Sequence, residues 1–234
     1  MTNPSKPNLL PGLSQESLKL LACVTMLLDH IGVIFFPGSV LRIIGRVSFP
    51  IFCFLLTEGF FHTRNKRRYA LRLAVSMLLA EIPFDLAFFR RIHWGHQNVM
   101  LTLLLGYLAI WAVTESGSAM AKALLAAAFT AAAEYLHSDY GGTGVLLVLV
   151  FALSRELRGR NWICAIVMLI LFAERSSPAI VRAGGFAITR QMLGTAAILP
   201  IALYSGEKKT SSKAVQLAFY LFYPVHLAVL WMLA

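Results

Sequence analysis

The run LKLLACVTMLLDHIGVIFF at residues 18–36 decides the fold of this chain. A helix needs about 20 predominantly apolar residues to cross the hydrocarbon core of a bilayer, and this run reaches that length. The whole chain of 234 residues is 58% hydrophobic and 14% charged. Soluble domains contain roughly 25% charged residues, so the composition points the same way. The sequence therefore predicts an integral membrane protein.

Eight further apolar segments follow the first one. They lie at residues 41–61, 69–89, 98–115, 119–137, 142–154, 161–174, 187–204 and 214–233. Two of them, 142–154 and 161–174, are short for a full span, so eight to ten crossings fit the pattern. The connecting loops are short, and the sequence shows neither an internal repeat nor a soluble region. We therefore predict an all-α fold, a polytopic transmembrane helix bundle of about nine helices. It would form a single integral membrane domain over residues 1–234, with its polar residues concentrated in 18–110.

The basic residues predict the direction in which the helices cross. If the N-terminus is cytoplasmic, the inner segments contain 14 of the 21 basic residues and the outer loops contain 4. Lysine and arginine concentrate on the cytoplasmic side of membrane proteins. We therefore expect a multi-pass protein of the bacterial inner (cytoplasmic) membrane with a cytoplasmic N-terminus. The inner residues are Lys6, Lys19, Arg64, Lys66, Arg67, Arg68, Arg72, Lys122, Arg155, Arg158, Arg160, Lys208, Lys209 and Lys213, and the outer ones are Arg90, Arg91, Arg175 and Arg182.

The net charge, the cysteines and the histidines of one loop bear on two other kinds of function, nucleic-acid binding and metal binding. A net charge of +10 is explained by helix orientation and contact with anionic headgroups, so no nucleic-acid partner is expected. The three cysteines lie inside apolar runs, where a cysteine is typically a small buried hydrophobe. His93 and His96 have an H-x-x-H spacing, which is common by chance in loops, and no metal site is expected.

Ionisable residues inside the first three spans mark a candidate site. Each such residue costs about 2.5–3.5 kcal/mol at a helix centre on insertion scales, so these residues should face the protein interior and pair with one another. The alternatives are ion pairs that only hold helices together and, near helix ends, side chains that reach the interface. The residues are Asp29, His30, Arg42, Arg46, Glu58, Glu81 and Asp85.

The spacing of these residues predicts a cluster in the outer half of the bundle. Arg42 and Arg46 are four residues apart and share one helix face, and so do Glu81 and Asp85, with Pro83 between them as a predicted kink. His30 follows Asp29 directly, so their side chains diverge by about 100° around the helix. We expect His30 to be oriented instead by Glu81, Asp85 or His226 from another helix.

Several polar strings inside the apolar spans resemble the TraX family of conjugal-transfer proteins. They are MLLDHIG at 26–32, GRVSFPIFCFLLTEGF at 45–60, HTRN at 62–65, YALRL at 69–73, EIPFD at 81–85, HQNVM at 96–100, DYG at 139–141 and YPVH at 223–226. The resemblance extends over nearly the whole chain and is densest in the first 110 residues. A looser resemblance is to the membrane acyltransferase 3 family, whose first helix has an arginine, ten residues and a histidine. Lys19 and His30 have that spacing here, with lysine in place of arginine.

The TraX resemblance implies acetylation of the N-terminus of a pilin subunit, with acetyl-CoA as the donor. Together with the polar cluster it favours a membrane-embedded acyltransferase. Its partners would be the bilayer, a cytoplasmic acyl-CoA and a pilin-like or other outer-side acceptor with an amine or hydroxyl group. A proton-coupled transporter remains open, because proton relays use the same intramembrane residue types. A noncatalytic pilin-assembly scaffold also remains open.

The acyltransferase hypothesis assigns a role to each candidate residue. His30 is expected to be the general base and Arg46 to stabilise the oxyanion, and both belong to a catalytic group that also contains Asp29, Glu81 and Asp85. Donor binding is expected near Lys19, Arg64 and Arg72. The remaining predicted binding residues are Arg42, Glu58, His96, Gln97, Asn98 and His226.

Overall fold

The computed structural model describes residues 12–173, 179–183, 186–207 and 212–234. Four basic residues used to predict orientation, Lys6, Arg175, Lys208 and Lys209, lie outside these ranges. The side chains of Arg182 and Lys213 are likewise outside the described part of the chain.

The all-α prediction is confirmed, because helices make up nearly all of the regular structure in the described ranges. They are α1 Gln15–Ile34, α2 Leu41–Gly45, α3 Ser48–His62, α4 Lys66–Phe89, α5 Val99–Glu115, α6 Ala119–Tyr135, α7 Gly141–Leu153, α8 Arg160–Leu171, the 3₁₀ helix Gln191–Ala197, α9 Ile198–Ala202 and α10 Lys213–Leu233. One small antiparallel hairpin, β1 Ala179–Ala183 with β2 Phe186–Thr189, precedes the 3₁₀ helix.

Three helical stretches of the described chain are long and apolar enough to cross a membrane. They are Gln15–Ile34, Leu41–His62 and Ala214–Leu233, and four further apolar helices are shorter. These stretches identify a membrane protein, as the composition predicted. The second stretch contains both α2 and α3, and Arg46 and Val47 lie between these two helices.

Side-chain caps start several of the helices where the sequence offers Ser or Asn. Ser14 accepts a hydrogen bond from the Ser17 N–H at the start of α1, and Asn65 accepts one from the Arg68 N–H at the start of α4. Asn98 does the same for α5 through the Met100 N–H. Each cap satisfies a backbone donor that the first turn of a helix leaves without a partner.

Helix α3 is the centre of the bundle. It contacts α1, α5, α7 and the 3₁₀ helix, and most of its side chains are buried. Helices α5 and α7 approach closely because Gly106 and Gly144 have no side chain. A Cβ at Gly106 would press on Val148, and one at Gly144 would collide with Thr102. Small residues at such crossings let membrane helices pack backbone to backbone. Helix α10 packs against α4 and α1.

Candidate functional site

One large cavity runs along the bundle beside α1. Its volume is about 1120 Å³, slightly above the usual range for small-molecule sites of roughly 300–1,000 Å³. Helices α1, α3, α4, α5 and α10 all contribute to its wall. Lys19 and His30 both line it, and eleven residues of helix separate them by about 16 Å. The cavity therefore joins two polar regions at different depths.

We name the two regions of the cavity by their first residues. The lysine end consists of Gln15, Lys19, Glu58, His62, Tyr69, Arg72 and Tyr220. The histidine end consists of Asp29, His30, Arg42, Arg46, His96, Asp139 and Tyr140. Between them the wall is largely apolar, with Phe49, Phe52, Leu55, Leu56, Met100 and Leu103. An elongated ligand with a charged head and a slender tail has the shape and polarity that such a cavity accommodates.

Asp29 is the centre of an ionic group at the histidine end. Its Oδ2 accepts hydrogen bonds from Arg42 Nη1 at 3.0 Å and from Arg46 Nη2, and its side chain is buried. Arg46 Nη1 also donates to Gln191 Oε1 at 3.1 Å and to the Tyr140 hydroxyl at 3.4 Å. Two guanidiniums on one carboxylate leave an excess positive charge on the cavity wall, which favours a bound or developing negative charge.

Gly45 fixes how closely α2 approaches α1. A Cβ placed on Gly45 would collide with the side chain of Asp29. Any larger residue there would push α2 away and pull Arg42 and Arg46 from the Asp29 carboxylate. The glycine within the string GRVSFPIF is thus required by the ionic group itself.

His30 is oriented by His226, one of the three partners that its position on α1 predicted. His30 Nδ1 and His226 Nε2 are 2.7 Å apart and the two rings are nearly parallel. On its far side, His226 Nδ1 is 2.6 Å from the carbonyl oxygen of Phe222 on the same helix. No carboxylate contacts His30 in the described residues, so of the three expected partners the His226 imidazole orients it, and Glu81 and Asp85 do not.

The wall opposite α1 at the histidine end is formed by the loops that precede α5 and α7. A backbone bridge joins them, because Gln97 N–H donates to the His137 carbonyl and Asp139 N–H donates to the Gln97 carbonyl. His96 Nε2 lies 3.8 Å from Asp139 Oδ1. The Asp139 carboxylate raises the pKa of His96 above its usual value, against the opposing effect of partial burial. His96 is therefore protonated over a wider pH range than a free histidine.

Tyr140 connects this wall to the ionic group. Its ring stacks on Phe49 with centroids 3.7 Å apart, and burial raises its pKa to about 12. The phenol therefore keeps its proton while its oxygen accepts from Arg46. Tyr140 has a left-handed backbone with φ of 65°, as do His137 and Arg90. Left-handed residues other than glycine are uncommon, and these three flank the two bridged loops.

Six predicted site residues do not line the cavity in the described structure. They are Arg64, Glu81, Asp85, Gln97, Asn98 and His226. The other eight predicted residues do line it: Lys19, Asp29, His30, Arg42, Arg46, Glu58, Arg72 and His96. Arg64 is exposed in the turn before α4, and Gln97 contributes its backbone to the bridge between the loops.

Glu81 and Asn98 form a structural contact between α4 and α5. The Glu81 carboxylate accepts from the Asn98 side chain and, at 3.4 Å, from its backbone N–H. Asn98 also donates to the Met77 carbonyl and caps α5. Glu81 is expected in the catalytic group. In the structure its carboxylate instead binds Asn98, the residue that caps α5.

Asp85 anchors the loop after α4. Its Oδ2 accepts from the His93 backbone N–H at 2.7 Å, and the side chain is buried. Like Glu81, Asp85 is expected in the catalytic group. In the structure it instead hydrogen-bonds the loop that contains His96. α4 also continues through Pro83 to Phe89, so the predicted kink does not end the helix.

The lysine end combines cations with aromatic rings. The Lys19 ammonium lies 5.5 Å from the centroid of the Phe219 ring. The Arg72 guanidinium lies 5.8 Å from the ring of Tyr69 and 5.9 Å from that of Tyr220. Cations beside aromatic faces suit a ligand that has both phosphate groups and a planar base.

Glu58 is the buried carboxylate of the lysine end. Its Oε1 is 3.6 Å from Arg155 Nε and its Oε2 is 3.9 Å from His62 Nδ1. It therefore neutralises part of the local positive charge and ties the end of α3 to the segment after α7. Lys19 and Arg72 are the lysine and the arginine of this end that line the cavity in the described structure.

The sequence assigned no site role to seven residues that line the cavity at its two ends: Gln15, His62, Tyr69, Asp139, Tyr140, Gln191 and Tyr220. Tyr140 belongs to DYG, one of the strings that resemble the TraX family, but the string alone does not indicate what the tyrosine does. Gln191 and Tyr220 belong to none of these strings, and they line the cavity through the packing of the 3₁₀ helix and α10.

Comparison with known proteins identifies one family and two relatives. The sequence model of the TraX family, described as TraX protein, matches residues 14–234. A probable fimbrial assembly protein FimC (serogroup H1) of Dichelobacter nodosus is 33% identical over 241 residues, covering 93% of this chain and 94% of that protein. An uncharacterized protein of Rickettsia prowazekii (strain Madrid E) is 44% identical over 98 residues, or 42% of this chain and 36% of that protein. No solved structure matches the chain.

Proposed function

The chain belongs to the TraX family, and from that premise we propose that it is a membrane-embedded acyltransferase of the inner membrane with acetyl-CoA as its donor. The acceptor would be the amine of a pilin-like protein, since the fimbrial relative is named for assembly of such a structure. The observation that most strongly supports this proposal is the continuous cavity that joins the lysine end to the histidine end.

Donor binding is proposed at the lysine end. Lys19 and Arg72 offer charges for the phosphates, and Tyr69, Tyr220 and Phe219 offer faces for the adenine ring. The pantetheine arm would follow the apolar middle of the cavity toward His30. With a cytoplasmic N-terminus, the lysine end of α1 would face the cytoplasm, where acyl-CoA is made.

Transfer is proposed at the histidine end. The acceptor nitrogen attacks the thioester carbonyl carbon, and the neutral His30 imidazole takes the proton that this nitrogen loses. The excess positive charge of the group formed by Arg42, Asp29 and Arg46 stabilises the oxyanion. The carbon–sulfur bond then breaks, and His30 returns the proton to the leaving thiolate, so the products are an amide and free CoA thiol.

The experiment measures donor binding and acetyl transfer on one preparation of the His30→Ala variant. Purified protein receives labelled acetyl-CoA and a peptide with a free N-terminal amine. We expect the rate of transfer to fall by roughly 10²–10⁴, the usual contribution of general acid–base catalysis, while acetyl-CoA still binds. The His93→Ala variant is the matched control, because His93 lies in a loop and does not line the cavity in the described structure.

Other outcomes would overturn specific parts of the proposal. Unchanged transfer in the His30→Ala variant would exclude His30 as the base. Loss of both binding and transfer would make it a structural or donor-binding residue. If the unaltered protein neither transfers nor slowly hydrolyses acetyl-CoA, the noncatalytic assembly role suggested by the name of the fimbrial relative becomes the better account.

A further inference from the structure

His226 lies behind His30, away from the cavity. His30 lines the cavity. His226, on α10, is buried and does not line the cavity in the described structure. The ring of His226 is flanked by Phe222, at 4.8 Å between ring centroids, and by Tyr223, at 5.7 Å. Its polar contacts are the Phe222 carbonyl and the His30 imidazole.

The Phe222 carbonyl determines which nitrogen of His226 is protonated. A carbonyl oxygen has two lone pairs and no hydrogen, so it only accepts. His226 Nδ1, 2.6 Å away, must therefore bear the hydrogen and donate it. In a neutral imidazole the other nitrogen is then an acceptor, so His226 Nε2 has a lone pair directed at His30.

The neutral form of His226 follows from its surroundings. A buried charge is strongly disfavoured unless a counter-charge pairs with it. No carboxylate contacts His226 in the described residues, and the nearby Asp29 is already paired with Arg42 and Arg46. A cationic His226 would thus add a third positive charge beside the two arginines that already share the Asp29 carboxylate.

The protonation of His226 determines which nitrogen of His30 bears a hydrogen. Its Nδ1, 2.7 Å from the lone pair of His226 Nε2, must be the donor of that hydrogen bond. Neutral His30 therefore has its basic lone pair on Nε2, the nitrogen that is not bonded to His226. We infer that His226 is a positioning residue that holds His30 in the Nδ1–H tautomer, so that Nε2 is the proton acceptor of the acyl transfer. This inference rests on the proposed function for its consequence but not for its geometry.

The tautomer can be measured without any assay of activity. The probe is the protein labelled with ¹⁵N in histidine, and the His30 signals are identified as those missing from the His30→Ala spectrum. We expect a hydrogen on His30 Nδ1 and none on Nε2 near neutral pH. A spectrum with the hydrogen on Nε2 of His30 would overturn the inference, whether or not acetyl transfer is found.

Two variants of His226 separate positioning from packing. In His226→Gln the side-chain amide oxygen can still accept the hydrogen of His30 Nδ1, whereas His226→Phe keeps a ring of similar size but offers no acceptor. Hydrogen-bond partners that orient metal-ligating histidines typically contribute roughly 10–100-fold to activity, and we take the same order for the partner of a catalytic histidine. We therefore expect kcat to fall by roughly 10–100-fold in His226→Phe with unchanged affinity for acetyl-CoA, and to be substantially retained in His226→Gln.

The outcomes of these measurements are distinct. Wild-type kcat in His226→Phe, or equal losses in both variants of matched stability, would overturn the positioning role. If no variant and no wild-type preparation transfers acetyl groups, the acyltransferase proposal fails, while the ¹⁵N spectrum still decides the tautomer of His30.

Discussion

Two pairs of ionisable residues in this bundle, one on α1 and one on α4, look alike in sequence and differ in structure. Asp29 and His30 meet side chains from other helices: two arginines and a histidine. Glu81 and Asp85 meet backbone N–H groups and a capping amide of the loop before α5. Both pairs lie in apolar helices and both are expected to be expensive in a membrane. The partner of a buried carboxylate, and not its presence, therefore distinguishes a site for chemistry from a helix cap.

The largest difference between the two pairs is expected on removing Asp29. In Asp29→Ala the guanidiniums of Arg42 and Arg46 lose their common carboxylate, and breaking a buried ion pair from one side typically costs about 3–5 kcal/mol of stability. Denaturant unfolding in detergent measures it. The double variant Asp29→Leu with Arg42→Met removes opposite charges together and should lose less. A single variant as stable as the wild type would show that Asp29 does not hold the arginines.

The Glu81→Ala variant is expected to have a smaller effect, and only on stability. It leaves the buried Asn98 amide without its carboxylate partner, at a cost of about 1–3 kcal/mol. Acetyl transfer per folded molecule should remain, because Glu81 does not line the cavity in the described structure. Glu81→Gln, which keeps an acceptor, is the matched control. Abolished transfer at normal folding would return Glu81 to the catalytic group and erase the contrast with Asp29.

The smallest effect concerns His96 and depends on pH. Its pKa is raised in the folded protein by Asp139, from a usual value of about 6.5. The stabilisation is then fully present below that usual value and is lost as the pH rises through the raised one. Both side chains are more than a third exposed, so solvent limits the contribution to at most about 1 kcal/mol. The free energies of unfolding of the wild type and of the Asp139→Asn variant, measured across this pH range, should converge at high pH. Parallel curves would contradict the pairing.

The helices were predictable from sequence because apolar length is a local property. Their interruptions were harder to predict, although prolines gave a signal. Pro50 lies in the first turn of α3, where the absent N–H is tolerated, and so marks the break after Arg46. Pro83 lies well inside α4, which nevertheless continues. In residues 187–204 the predicted helix is instead a strand, a 3₁₀ helix and the short α9, because apolarity alone does not distinguish these forms.

The site was predictable where sequence spacing fixes geometry. Arg42 and Arg46, four residues apart, do meet the same carboxylate. The contact between His30 and His226 spans 196 positions of the chain, and spacing gives no information at that range. Topology narrowed the partners of His30 to three, and packing of α10 against α1 selected one of them.

The cavity along α1 has a further consequence for how matter would move through this protein. A transporter carries its substrate across by exposing one site alternately to each side of the membrane. In the proposed function, the donor occupies the lysine end and the acceptor the histidine end of one continuous cavity, and the two meet within it. An acetyl group would then cross the bilayer by exchanging a thioester for an amide, with the chemical energy of the thioester giving the direction. The protein would need neither an ion gradient nor a pair of inward-open and outward-open states.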